Sequence, residues 1–221
     1  MYATFSRVGR LAGAALLLSF PSAAFATDDD IEFWFNPTVA VALDEDTSFK
    51  LETAQRLRRE SQGRPDTFFF RLWAKQRVSD GVVLSGAVER RITRGRRDEV
   101  RVMQQAYGEA GIFNLRVRLE ERFAQGANGR MGLRVRARGG IAIPLDDTGQ
   151  WTLNPDVETF ITLRNSRRGG DIGKTEFRAQ MKVGYRASDN LTIQAGYLLQ
   201  YDLEQRVPDT VGHAPIVGLH F

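Results

Sequence analysis

Charged side chains occupy every second position of residues 114–123, which read NLRVRLEERF. The charged positions on one face of this stretch are Arg116, Arg118, Glu120 and Arg122. A guanidinium group presents a planar set of N–H donors that binds carboxylates and other oxoanions. Two kinds of chemistry therefore fit the pattern. The Arg side chains either form a wall that favours anionic solutes, or they pair with Glu on neighbouring segments and brace the structure.

The same alternation recurs along the chain and gives a larger set of candidate site residues. The principal basic candidates are Arg101, Arg116, Arg118, Arg122, Arg134, Arg136, Arg138 and Arg178. Their acidic partners are predicted to be Glu99, Glu120, Glu158 and Glu176. Further charged residues in this pattern are Lys50, Glu52, Arg56, Arg71, Lys75, Arg77, Glu89, Lys182 and Arg186. Basic side chains outnumber acidic ones, so the face that carries them is expected to be electropositive.

Residues suited to other chemistry are scarce. The chain has no Cys, which excludes thiolate metal sites and Cys nucleophiles. It has two His, of which only His213 is placed for catalysis, and no Ser and acid accompany it at a telling spacing. No metal-ligand spacing or nucleotide-binding motif occurs, so no metal and no cofactor is predicted.

The first 26 residues are predicted to be a cleaved signal peptide. Arg7 and Arg10 precede an apolar run at 11–20, and Ala24 to Ala26 follow as a cleavage site. The run is about half of the roughly 20 residues that a spanning helix requires. Residues 27–221 are then expected to form one domain with a formal net charge of +2, because the signal segment carries two of the basic residues and no acid. That charge and the export signal argue against nucleic acid as a partner.

The charged positions must be held by β-strands, because apolar residues recur at period 2 over most of the chain after residue 27. The predicted strands span 33–43, 47–58, 67–78, 82–92, 98–108, 112–123, 130–143, 151–164, 174–187, 190–202 and 210–221. Each is about as long as the 9–11 tilted residues that cross a bilayer, or longer. Tight turns alternate with longer polar loops, an asymmetry typical of bacterial outer-membrane barrels, where the short turns are periplasmic and the long loops extracellular.

The direction of the two faces follows from energetics and from the end of the sequence. An Arg at mid-depth in the bilayer costs about 2–4 kcal/mol on the lipid face, so the charged face is assigned to the lumen. The alternative is a secreted soluble barrel with an apolar interior. The last strand ends at Phe221, which resembles the sorting signal that the outer-membrane assembly machinery reads. These features predict a transmembrane antiparallel up-and-down β-barrel in the outer membrane of a Gram-negative cell.

The number of strands is harder to predict. The pattern gives eleven strands, which is an odd number, whereas bacterial single-chain barrels have an even number. We expect about twelve strands, with residues 30–36 supplying a short extra strand before Pro37. Ten is the alternative, in which the N-terminal segment packs elsewhere.

The order and spacing of several motifs resemble an uncharacterised outer-membrane family, domain of unknown function 2490 (DUF2490). The motifs comprise Trp34, the strand Glu99, Arg101, Gln104 and Gln105, the strand Arg116 to Arg122, Arg134 and Arg136, Pro155, Glu158 and Phe160, Arg178, Gly184 and Tyr185, Gly196 and Tyr197, and His213. The resemblance implies an outer-membrane barrel over most of the chain. It implies no known activity.

These observations favour a passive pore or a structural barrel whose Arg-rich lumen favours small anionic solutes. An outer-membrane lipid-modifying enzyme that uses His213 is one alternative. The other is a surface protein whose cationic loop 164–174 contacts lipopolysaccharide. Membrane lipid, lipopolysaccharide and the assembly machinery, which reads the C-terminal strand, are the expected partners.

Overall fold

The computed structural model describes residues 29–58, 65–203 and 210–221. The predicted signal segment 1–26 lies outside the described residues. The described residues form twelve strands: β1 (Asp29–Ala42), β2 (Thr47–Arg58), β3 (Thr67–Ser79), β4 (Val82–Thr93), β5 (Glu99–Ala110), β6 (Phe113–Ala124), β7 (Gly132–Ile141), β8 (Ile143–Pro144), β9 (Trp151–Arg164), β10 (Gly173–Ser188), β11 (Leu191–Asp202) and β12 (Thr210–His220). Within these ranges, no helix has the length and apolar character needed to cross a bilayer.

The strands close into a barrel. Each long strand pairs with its neighbour in sequence in antiparallel register, from β1 round to β12, with β7 passing directly to β9. β12 then lies beside β1 in parallel register, with Trp34 opposite Ile216 and Thr38 opposite His220. The all-β barrel and the count of twelve strands are thereby confirmed.

The wall itself contains eleven strands, and the twelfth strand is not the predicted one. β1 runs through residues 30–42 without interruption, so the expected separate strand at residues 30–36 was wrong. The additional strand is β8, which has two residues and pairs with the start of β9. It continues the path of β7 after a break at Ala142.

Alternation along each strand separates the two faces of the wall as predicted. Val117 is 45% exposed on the outer surface, whereas the adjacent Arg118 is 4% exposed in the lumen. Large apolar side chains such as Leu72, Val88 and Phe113 are exposed on the outer face. The outer surface is therefore apolar and the buried charges lie inside, as in a membrane barrel with a polar lumen.

The two ends of the barrel differ in their connections. Short turns join β1 to β2, β3 to β4, β5 to β6, β8 to β9 and β10 to β11, and Phe221 lies at this end. The connections β2–β3, β4–β5, β6–β7, β9–β10 and β11–β12 have five to eight residues and lie at the opposite end, where β1 begins. In the first short turn the Asp44 carboxylate accepts hydrogen bonds from the backbone N–H groups of Asp46 and Thr47, at 2.9 and 2.6 Å. These bonds stabilise the carboxylate and lower the pKa of Asp44.

Candidate functional site

The predicted site residues line one continuous surface, the interior of the barrel. β6 and β7 form its most basic part, where Arg116 lies opposite Arg138 and Arg118 opposite Arg136. Like charges placed directly across two strands repel each other. Carboxylates in the lumen are needed to offset this repulsion.

Glu120 is the centre of the resulting ion-pair network. It is completely buried, and its oxygens lie 2.7 Å from Arg134, 2.8 Å from Arg136, 3.6 Å from Arg101 and 3.8 Å from Arg118. A buried carboxylate is costly unless it is paired and hydrogen-bonded. Four guanidinium groups around one carboxylate meet that requirement and hold β5, β6 and β7 together.

The three other predicted Glu residues also bind Arg. Glu158 accepts from Arg136 at 2.8 Å and from Arg116 at 2.5 Å. Glu99 lies 2.9 Å from Arg122 and also pairs with Arg101. Glu176 lies 2.5 Å from Arg178 and 3.9 Å from Arg134. The bracing interpretation therefore fits most of the predicted Arg residues.

The pairing continues on the opposite side of the lumen. Arg71 on β3 binds Glu89 on β4 and lies 2.9 Å from Glu52 on β2. Arg91 lies 3.2 Å from Glu89. On the β7–β9 side, Arg138 lies 3.3 Å from Asp156 on the neighbouring strand. The sequence prediction did not include Arg91 and Asp156. A signal for them was present, because Arg91 is two residues from Glu89 and Asp156 is two residues from Glu158, so each faces the lumen with its predicted neighbour.

Aromatic side chains are the second component of the lumen. The guanidinium carbons of Arg136, Arg178 and Arg134 lie 4.3, 4.6 and 4.9 Å from the centre of the Phe160 ring. Arg118 lies 4.8 Å from the centre of the Trp73 ring. Such cation–π contacts contribute about 0.5–2 kcal/mol each. The aromatic rings therefore help to hold a dense group of cations in place.

In the half of the barrel nearer the long loops, the lumen is filled by side chains that we call the septum. It consists of Glu89, Met103, Glu120, Arg134, Phe160 and Glu176. Met103, Phe160, Glu89 and Glu120 are all 0% exposed. None of the six lines either of the two cavities in the lumen.

The septum separates a short-turn cavity from a long-loop cavity. The short-turn cavity has a volume of about 570 Å³ and is lined by ten Lys and Arg side chains and three Glu, among other residues. The long-loop cavity has a volume of about 360 Å³ and is lined by six Arg and two acidic residues. Both cavities are electropositive because the carboxylates are too few to neutralise the lining.

The remaining predicted residues lie apart from the septum. His213 is on the outer face of β12 near the long-loop end, where its Nδ1 atom is 2.8 Å from the hydroxyl of Tyr197. It lines neither lumen cavity. Phe221 is 53% exposed at the short-turn end, and its backbone N–H donates to the carbonyl of Thr38. Over residues 29–58, 65–203 and 210–221, no group of His, Asp and Glu is arranged to hold a metal ion.

A closed barrel with an apolar outer surface and a charged lumen is a transmembrane β-barrel. Its fold is similar to that of a NanC porin, with a TM-score of 0.56, 10% sequence identity and coverage of 87% of this chain and 98% of that chain.

Comparison with protein families identifies the chain more narrowly. Residues 31–209 match the family described as Protein of unknown function (DUF2490), and the chain belongs to that family, as its motifs predicted. Two KdgM porin structures also match, each with a TM-score of 0.47. One is in complex with disordered oligogalacturonate, is 8% identical and covers 80% of this chain and 92% of its own. The other is 7% identical and covers 77% and 89%. The comparison with curated proteins gave no match.

Proposed function

We propose that the protein is an outer-membrane pore of low conductance that favours small anionic solutes. The observation that carries this proposal is the excess of basic over acidic side chains in both cavities, on either side of the septum. Fixed positive charge with low-dielectric walls concentrates anions and repels cations. An anion that enters from either end therefore meets a favourable potential before it reaches the septum.

The septum is the constriction of the proposed pore. Its carboxylates pair with Arg134 and with Arg side chains of the surrounding wall, so a small anion passing through can exchange with a carboxylate as the temporary partner of a guanidinium. A cation has a less favourable path, because the guanidinium groups around the septum carboxylates outnumber those carboxylates. Conductance is expected to be small because four septum side chains are fully buried.

Planar-bilayer recordings in a KCl gradient test the proposal. We expect small current steps and a reversal potential on the anion-selective side. The double variant Lys75→Glu and Lys182→Glu reverses two charges in the short-turn cavity and is expected to shift the reversal potential towards cation selectivity. The matched control reverses Arg130 and Arg168, which line a separate surface pocket between loops and should leave selectivity unchanged. Cation preference in the wild-type protein would refute the anionic assignment.

A closed structural barrel is the second candidate, and the septum is the observation that favours it. The Arg–Glu pairs and the Phe160 contacts brace the wall whether or not solutes pass. The variant Phe160→Ala separates the two functions, because it removes the largest apolar side chain of the septum. Absence of current in the wild-type protein would support the structural barrel, whereas wild-type current that increases in the variant supports a pore.

The partners of the barrel are also proposals. The apolar outer face is suited to contact membrane lipid, and Arg167 and Arg168 at the long-loop end are suited to contact lipopolysaccharide phosphates. We propose that the β12 end with Phe221 is read by the assembly machinery. Deletion of Phe221 is expected to lower the amount of folded barrel in outer-membrane fractions without changing synthesis of the chain.

A further inference from the structure

Arg56 differs from the other buried Arg side chains of the lumen. It is 8% exposed and lines the short-turn cavity. Arg71, Arg101 and Arg136 each lie within 4 Å of two or more carboxylates. In the part of the chain that the structure describes, the Arg56 side chain forms no ion pair, and its Nε is buried without a hydrogen-bond partner. It is a buried cation with no counter-charge in contact.

The Arg56 guanidinium is nevertheless held in one place. Its central carbon lies 3.8 Å from the centre of the Trp34 ring and 5.6 Å from that of Phe69. Trp34 is fixed in turn, because its Nε1 donates to Glu32 at 2.6 Å, and Glu32 accepts from Arg58 at 2.5 Å. A planar cation is therefore positioned on a rigid aromatic surface before any ligand arrives. A preorganised group of this kind loses little freedom when it binds.

The environment of Arg56 indicates what kind of anion fits beside it. Trp34 belongs to an apolar cluster with Leu198, Ala214 and Ile216, and Leu198 and Ile216 also line the short-turn cavity. Arg178 lies over the same indole ring, 4.9 Å from its centre. One end of the cavity thus combines the unpaired guanidinium of Arg56 with an apolar wall. An inorganic anion would use the charge but not the wall.

We propose that Arg56 forms a subsite that binds the carboxylate of a small organic anion, with the nonpolar part of the ligand against Trp34, Leu198 and Ile216. The terminal nitrogens of Arg56 donate to the carboxylate, while Trp34 keeps the guanidinium plane fixed. This subsite goes beyond the pore proposal, since it needs access from the short-turn end only and does not require passage through the septum.

Fluorescence of Trp34 reports directly on this subsite. The chain has three Trp, so replacing Trp73 and Trp151 by Phe leaves Trp34 as the single reporter. The folded barrel in detergent is titrated with butyrate, inorganic phosphate and butylammonium at constant chloride. We expect a saturable change with butyrate, a weaker response to phosphate and none to butylammonium. Arg56→Gln is expected to weaken butyrate binding at least about tenfold, and Arg56→Lys to restore part of it.

Lys75→Gln is the matched control, because it removes one positive charge from the same cavity away from the Trp34 surface. It should change butyrate affinity by less than about threefold. Equal weakening by both Gln variants, or no saturable response, would show that only the diffuse field of the cavity acts and would overturn the subsite. Phosphate binding as tight as butyrate binding would overturn the organic part of the proposal.

The stability of Arg56→Gln is a second readout. Because Arg56 has no carboxylate partner, its neutralisation is expected to leave the heat-modifiable gel shift of the barrel unchanged. A variant that fails to fold would show that Arg56 is a structural group and would refute the proposal. Butyrate binding without any bilayer current would leave the subsite intact and refute the pore alone.

Discussion

At the scale of single residues, the lumen is governed by how few carboxylates serve many guanidinium groups. Glu120 alone lies within 4 Å of Arg101, Arg118, Arg134 and Arg136. Each lumen carboxylate is therefore worth more to stability than any one Arg, because its removal leaves several cations without their shared counter-charge.

Glu120→Gln is expected to destabilise the barrel by about 3–5 kcal/mol, since breaking a buried ion pair by removal of one partner leaves uncompensated charge. The measurement is the urea midpoint of the heat-modifiable gel shift. The matched control is Glu109→Gln, which changes an exposed carboxylate at the end of β5 whose hydrogen-bond donor is Tyr107. Comparable losses of stability in the two variants would argue against Glu120 as the centre of the network.

Most lumen charges could be predicted from the sequence, whereas the septum could not. Alternation assigned Arg118 and Glu120 to the inside. This assignment needs only the rule that alternate residues of a strand face opposite sides, and not the shape of the barrel. The same reasoning reserved apolar side chains for the lipid face, so the inward positions of Phe69, Trp73 and Met103 were missed. Which of these side chains meet inside the barrel depends on the stagger between strands, and a single strand's sequence does not encode that stagger.

At the scale of strands, β6 provides the sharpest test of which face meets lipid. Val117→Arg places a charge on the outer surface and is expected to cost about 2–4 kcal/mol at mid-depth, enough to reduce assembly strongly. Arg118→Gln removes hydrogen bonds to Gln105, at 3.0 and 2.7 Å, and is expected to cost about 1 kcal/mol. Folded barrel in outer-membrane fractions measures both. Equal damage from the two substitutions would contradict the assigned orientation of β6.

The turns offer a test of how tightly neighbouring hairpins fit. Gly81 has a φ of +73°, and a Cβ added there would lie 2.6 Å from the backbone oxygen of Glu109. Gly111 has a φ of +59° and open space around it. An Ala in the left-handed region costs about 1–2 kcal/mol by itself, so Gly111→Ala should lose that amount. Gly81→Ala should lose more, because the clash adds to the strain. Urea unfolding of both variants measures the difference, and equal losses would exclude a contribution from the clash.

At the scale of the whole molecule, closure is the feature that sequence reasoning described least well. Turns specify which consecutive strands pair, but no turn joins β12 to β1, so their parallel pairing follows only from completing the circle. An odd number of wall strands also places the start of β1 and the end of β12 at opposite ends of the barrel. If the short turns are periplasmic, then β1 begins outside the cell.

Cysteine labelling can test this orientation cleanly, because the chain contains no Cys of its own. Arg168→Cys lies in the β9–β10 loop and Asp147→Cys in the β8–β9 turn, both at exposed positions. A membrane-impermeant maleimide should label the loop variant in intact cells, and the turn variant only after the outer membrane is permeabilised. The physical reason is that bacterial barrels keep short turns in the periplasm and long loops outside. The reverse labelling pattern would mean that the barrel is inverted, with β1 beginning in the periplasm and the short-turn cavity, including Arg56, open to the exterior.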